Sequence, residues 1–144
     1  MIKIFLFFPL LFSSMLSFAG GLTIVPTVEF KSSDEILSEF KNYADVDPDQ
    51  SAEHISDIIV RVHWASEFCL KNSCEQEIFD QIVRVSFATL KNDFTYAVGE
   101  YLVPLYREQK SKFEKALRRL PASSSEKLLK NVQDAIDEME NGNG

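Results

Sequence analysis

The sequence predicts an all-α fold, a single-domain bundle of about five helices with an extended N-terminal arm. Helix-capping patterns recur along the chain, and apolar residues follow them at the three- and four-residue spacing of a helix. Sustained alternation of apolar and polar residues, which is typical of strands, is missing. With 144 residues, the chain is long enough for one hydrophobic core. We expect the helical domain over residues 32–140.

The first nineteen residues have the pattern of a secretory signal peptide. Lys3 provides a basic start, an apolar run of about nine residues follows, and small residues precede a cleavage point after Ala19. A membrane-spanning helix needs about 20 apolar residues, so an uncleaved anchor is the weaker alternative. No later stretch is long and apolar enough to span a bilayer. The pattern therefore predicts an exported chain, and we favour a bacterial periplasm over another secretory route.

The segment between the leader and the bundle is expected to be an extended arm. Residues 20–31 contain strand-favouring side chains, but Pro26 interrupts them. At the other end of the chain, residues 141–144 should form a disordered tail. Neither segment carries a repeat.

The first two helices have clear start signals. Ser32 and Glu35 form a capping box, in which each side chain satisfies a free backbone N–H. Asp47 and Pro48 suit the N-cap and the first position of the second helix. The second helix is apolar on two faces, which predicts a central helix covered on both sides. One face consists of Ile55, Ile58, Ile59, Val62, Ala65 and Cys69, and the other of Val60, Trp64 and Phe68.

Capping patterns also predict where the later helices begin. Ser73 with Gln76 should start the third helix, and Ser123 with Glu126 the last one. The fourth helix should cover an apolar, aromatic segment over residues 94–106 and continue with helical periodicity to residue 120. Pro104 should kink this helix or mark a boundary within it.

The two cysteines predict a disulfide. In an oxidising compartment an isolated close pair forms a bond, and a Cys69–Cys74 bond would staple the turn between the second and third helices. The spacing is not that of a thioredoxin-like redox motif or of covalent haem attachment. A metal site of His63, Cys69 and Cys74 would lack a convincing fourth ligand.

The negative net charge of the chain indicates which kinds of partner it can bind. The formal net charge is −7, and it becomes −8 once Lys3 leaves with the leader. We expect no nucleic-acid partner, because phosphate binding needs a basic surface. Residues 29–57 are strongly acidic, whereas residues 107–119 are basic. The two regions either lie near each other in the fold or are simply solvated; alternatively, the acidic one faces a basic partner.

The acidic segment contains the start of a calcium-loop pattern, Asp45, Asp47 and Asp49. The pattern fails at its two strict positions, where Gln50 replaces glycine and Ser56 replaces a bidentate glutamate. We therefore predict no metal site. The three aspartates remain candidates for binding a basic protein.

The histidines do not indicate catalysis. His54 and His63 lie on opposite sides of one predicted helix, so they cannot share a metal there. Asp57 is placed to contact His54 and to pair with Arg61, which predicts an ordinary polar edge. No nucleophile motif or phosphate loop accompanies them. We expect neither a cofactor nor an enzyme, although an enzyme with a non-standard site is a third hypothesis.

These observations predict an exported protein-binding module, such as a periplasmic inhibitor or a toxin-immunity protein. Its partner would be another exported protein. The alternative is a periplasmic carrier or chaperone that holds an apolar ligand between aromatic helices. Trp64 and Phe68 are either part of the core or anchors for a partner, since aromatic residues dominate interface hot spots.

Overall fold

Six α-helices make up the part of the chain that the computed structural model describes, residues 27–43, 52–90 and 95–142. This confirms the all-α prediction, with one helix more than expected. The helices are α1 (Ser33–Lys41), α2 (Ala52–Lys71), α3 (Gln76–Thr89), α4 (Thr95–Glu108), α5 (Lys110–Leu117) and α6 (Ala122–Asn141). The signal peptide over residues 1–19, the arm up to residue 26 and the last two tail residues lie outside the described residues. Residues 27–32 precede α1 without regular secondary structure.

The additional helix arises because the predicted fourth helix is two helices. Pro104 lies inside α4, and the boundary falls at Gln109, which has a φ of −123° and a ψ of 37°. The break allows α5 to leave α4 and pack on α3. There the Gln76 amide donates to the carbonyl of Lys112 at 3.0 Å, and Arg119 pairs with Asp80. The boundary predicted at Pro104 is therefore wrong.

The start of α1 is close to the predicted capping box. Ser32 is the N-cap, and its hydroxyl accepts a hydrogen bond from the backbone N–H of Glu35 at 3.3 Å. The Glu35 carboxylate accepts from the backbone N–H of Lys31 at 2.8 Å, one residue before the expected donor. The predicted start of the second helix at Asp47 and Pro48 lies outside the described residues.

The predicted caps of α3 and α6 are wrong. Glu75 is the N-cap of α3, because the Gln76 side chain is directed to Asp80 and to α5 instead of back to Ser73. Pro121 is the N-cap of α6, so the helix begins before Ser123. Pro121 makes no side-chain cap bond, and its carbonyl accepts from the backbone N–H groups of Ser124 and Ser125, both at 2.9 Å.

Helix α2 is buried along one face and half-buried along the other. The first face, Ile55, Ile58, Ile59, Val62, Ala65 and Cys69, is buried, whereas Val60, Trp64 and Phe68 are half-buried. The prediction of a helix covered on both sides is therefore confirmed for the first face only. Helices α3 and α4 pack on α2, α6 packs on α4, and α1 and α5 pack on α3. The largest fully buried side chains come from all six helices and include Ile36, Phe40, Ile55, Ile58, Phe79, Leu102, Phe113 and Leu128.

Two arginines hold the end of α1 against the bundle. Arg84 on α3 donates to the carbonyl of Phe40 at 3.0 Å, and Arg61 on α2 pairs with Glu39. The carbonyls at a helix C-terminus carry partial negative charge, so both contacts are favourable. Phe30 packs edge-on against Phe40, with ring centroids 6.3 Å apart. The residues just before α1 are thereby fixed to the core.

Helices α4 and α6 approach each other closely at Gly99. A Cβ atom at this position would lie 2.6 Å from the backbone oxygen and 2.7 Å from the Oδ1 atom of Asn131. Both distances are shorter than van der Waals contact. The close approach therefore requires glycine, despite the lower helix propensity of that residue.

The predicted disulfide between Cys69 and Cys74 is confirmed. It joins the last part of α2 to the turn before α3, and each cysteine is only 2% exposed. The Lys112 ammonium donates to the carbonyl of Cys74 at 2.8 Å, which ties the turn to α5. Because both sulfurs are in the bond, the alternative metal site with His63 is excluded.

Replacing both cysteines by alanine should destabilise the protein by about 2 kcal/mol, because the closed loop is short and the chain-entropy gain is correspondingly small. Urea unfolding followed by far-UV circular dichroism measures this change. The oxidised wild type with and without reductant is the control. A double variant as stable as the oxidised protein would contradict the stabilising role of the bond.

The variant Gly99→Ala should be destabilised by about 1–3 kcal/mol, because the added methyl group forces α4 and α6 apart. An unhindered Gly→Ala change in a helix would instead be stabilising. The double variant Gly99→Ala/Asn131→Ala should remain destabilised, since the nearest oxygen belongs to the backbone. Thermal unfolding of both variants tests this, and a raised melting temperature in Gly99→Ala would contradict it.

Candidate functional site

The structure places the predicted partner-binding residues in two groups. Asp45, Asp47 and Asp49 lie outside the described residues, so their role stays a prediction. Trp64 and Phe68 are both half-buried and pack against the core on α2. They are thus neither fully buried nor fully exposed, and their outer parts are at the surface.

Three half-buried rings from α2 and α4 form an aromatic cluster, which consists of His63, Trp64 and Tyr101. The centroid of the His63 ring lies 4.9 Å from that of Trp64 at an interplanar angle of 64°. It lies 4.5 Å from that of Tyr101 at 42°. Edge-on and tilted arrangements at these distances are favourable for aromatic pairs. The cluster is therefore held together by its own contacts.

Helix periodicity explains why these rings meet at the surface. On α4, Tyr101 is half-buried beside the buried Val98 and Leu102, so its ring lies at the edge of the apolar face. On α2, His63 follows the buried Val62 and faces α4. Phe68 lies one turn after Trp64 on the same side of α2. The packing of α2 on α4 therefore places aromatic groups from distant parts of the chain side by side.

Two carboxylates lie close to the aromatic cluster. Burial lowers the pKa of His63 below its ordinary value of 6.5. The negative charge of Glu67 opposes this decrease, and the positive charge of Lys71 adds to it. Burial raises the pKa of Tyr101, and the charge of Glu100 raises it further. The Glu67 carboxylate lies 3.5 Å from the Lys71 ammonium. Glu100 is exposed on α4 and makes no ion pair within the described part of the chain.

A separate polar cluster lies between α1 and α2. Arg61 pairs with Glu39 and with Asp57, and the Tyr43 hydroxyl donates to Glu39 at 3.1 Å. Burial raises the pKa of Tyr43 to about 12; the charge of Arg61 opposes this and that of Glu39 adds to it. The predicted Asp57–Arg61 pair is confirmed. His54 packs on the Tyr43 ring, with centroids 6.4 Å apart.

Three of the six bases in the segment over residues 107–119 are in ion pairs with nearby acids. Arg107 pairs with Glu140 on α6 at 2.7 Å, and Arg119 pairs with Asp80 on α3. Lys110 lies 3.9 Å from Glu114 on its own helix. Among the described residues, none of the ion pairs of this segment reaches the acidic region over residues 29–57.

Within residues 27–43, 52–90 and 95–142, no group of three or more histidine, cysteine or acidic side chains is arranged to hold a metal ion. None of the helices in these ranges combines the length and apolar character needed to cross a membrane. The two clusters described above are the chemically distinctive groups of side chains in this part of the molecule.

The contact between His63 and Tyr101 was not predicted from sequence. The sequence shows Tyr101 in an apolar segment and His63 on the second helix, but their contact depends on how α2 packs on α4. Glu100 was missed for the same reason.

The stability of the protein should fall as pH is lowered from 7.5 to 5, in part because of His63. Its folded-state pKa is lowered, so the unfolded chain takes up the proton first. The free energy that neutral His63 contributes to folding is fully present above the pKa that His63 has in the unfolded chain. It is lost as pH falls from that value towards the lower pKa of the folded state. The difference in unfolding free energy between the two pH values should be smaller in His63→Gln than in wild type, as measured by urea unfolding.

The control for this experiment is Gln133→Ala, which changes an exposed, non-titrating residue of α6. It should lose as much stability as the wild type between the two pH values. A His63→Gln variant with the full wild-type pH dependence would contradict the assignment to His63.

No protein-family model, curated protein or solved structure matches the chain significantly.

Proposed function

We propose that this chain is an exported protein-binding module that contacts another exported protein through the aromatic cluster. The observation that carries the proposal is the arrangement of three half-buried rings from two helices, His63, Trp64 and Tyr101. Tryptophan and tyrosine rings are enriched among the residues that dominate the binding energy of protein interfaces. Because the helices already hold them in place, little conformational entropy is lost when a partner binds.

The export half of the proposal is supported by two independent features. The first nineteen residues have the pattern of a signal peptide. The described domain contains a disulfide, and such bonds persist in oxidising compartments. A bacterial periplasm is the compartment we favour. A small inhibitor or a toxin-immunity protein is the class that fits an exported module of this size.

The net charge supports a protein partner with a basic surface. The chain carries −7 at neutral pH, and the exposed Glu100 adds a carboxylate next to Tyr101 that makes no ion pair with the described residues. Charge complementarity of this kind increases the rate of association and excludes acidic competitors. Asp45, Asp47 and Asp49 are proposed to extend the same acidic character.

The partner should be recovered when the full chain, with a C-terminal affinity tag, is expressed in its host and purified from the exported fraction. The variant Trp64→Ala should bind this partner at least about 30-fold more weakly, as for a hot-spot residue. Isothermal titration calorimetry with the purified partner measures the change. Intact mass should show a mature chain that begins at Gly20.

The matched control is Met139→Ala, which removes the large exposed apolar side chain of α6 and should leave binding unchanged. Tyr101→Phe keeps the ring and the fold, and it should bind more tightly than Trp64→Ala. Circular dichroism establishes that each variant is folded. Undiminished binding by folded Trp64→Ala would refute the proposed surface.

A further inference from the structure

Two acidic residues on different helices neighbour rings of the aromatic cluster. Glu67 is on α2, four residues after His63, and acts electrostatically on the His63 ring. Glu100 is on α4, next to Tyr101, and acts on the Tyr101 hydroxyl. The Glu67 side chain is 30% exposed, and Glu100 is exposed. Both carboxylates can therefore be reached from solvent.

Rings and carboxylates in this arrangement attract a cation. The face of an aromatic ring carries partial negative charge, and a guanidinium or ammonium group over it is stabilised. Carboxylates at the edge of the rings add direct charge pairing. Arginine suits such a site better than lysine, because its planar group stacks on rings and forms paired hydrogen bonds with a carboxylate.

The cation already present in this region, Lys71, can be displaced by an incoming cation. Lys71 lies 3.5 Å from Glu67, but its side chain is 69% exposed. Exposed ion pairs of this kind contribute little to stability. Replacing Lys71 by a better placed guanidinium would therefore cost little. Glu100 has no ion pair to give up within the described residues.

We propose that the aromatic cluster, together with Glu67 and Glu100, receives an arginine side chain presented by a basic partner protein. This inference rests on the proposed function, and it specifies the chemistry of the partner. The guanidinium stacks on the cluster, pairs with Glu100 and takes the place of Lys71 at Glu67. The net charge of −7 directs such a basic partner towards the chain.

The single tryptophan of the chain, Trp64, reports directly on this site. The experiment titrates the full mature protein with a peptide of alternating arginine and glycine, and follows tryptophan fluorescence. The matched probe is the same peptide with citrulline, which is neutral and nearly isosteric, in place of arginine. The arginine peptide should give a saturable change that weakens with added salt, and the citrulline peptide should give none.

Substitutions separate the proposed contacts from general electrostatics. Glu100→Gln should lower the affinity for the arginine peptide by about 5- to 10-fold, and Glu67→Gln should lower it as well. Lys71→Gln should strengthen binding, since it removes the competing cation. The matched control is Asp34→Asn, an exposed acid on α1, which packs on α3 and not on α4. It should leave the affinity nearly unchanged.

Three outcomes would overturn the inference. These are equal binding of the citrulline peptide, no response to the arginine peptide at about 1 mM, and equal weakening by Asp34→Asn and Glu100→Gln. None of them refutes the proposed function, because the effect of Trp64→Ala on the natural partner is measured separately. An apolar anchor from the partner would then be the occupant of the cluster.

Discussion

The arrangement of the molecule depends on covering the apolar face of α2. Ile58, Ile59, Val62, Ala65 and Cys69 on this face are buried, and such a face is stable only when neighbouring helices cover it. Helices α3 and α4 provide the two covers. Each of them is amphipathic in turn, so α6 packs behind α4, and α1 and α5 pack behind α3. The layers thus build outwards from the buried face of α2.

The same constraint produces the candidate binding surface. Where the covers of α2 end, its side chains change from buried to half-buried, and the large aromatic residues of this boundary are fixed by the helices on either side. His63 and Trp64 lie at such an edge, and Tyr101 of α4 reaches them. A change that loosens α4, such as one at its close contact with α6, would therefore also disturb the rings. Folding and the proposed recognition share the same contacts.

Much of this fold follows from local sequence patterns, and the exceptions have physical causes. The two-faced periodicity of residues 55–69 predicted a central helix, and Ser32 with Glu35 predicted the start of α1. The cap predicted at Ser73 failed because Gln76 makes a tertiary contact with α5, which local patterns do not contain. The break at Gln109 has no helix-breaking residue. It results from the separate packing partners of α4 and α5.

The candidate site could be predicted only in part. Trp64 stood out as the single tryptophan, on a second apolar face of its helix. Its half-buried position agrees both with a place in the core and with a role as an anchor for a partner. Its companions could not be found in this way, because His63 and Tyr101 are far apart in the chain and meet only through packing. Side-chain pairs across a helix interface depend on the crossing of the two helices, and a single sequence does not encode that crossing in a readable pattern.

The burial of the disulfide has a consequence for how the chain matures. With only two cysteines, a single intramolecular pairing exists, and the polypeptide needs an oxidant but no isomerase to correct it. Thiol–disulfide exchange requires that the attacking group reach a sulfur, and in the folded domain both cysteines are 2% exposed. Thiol attack on the bond in the folded domain therefore requires that the hairpin between α2 and α3 open first.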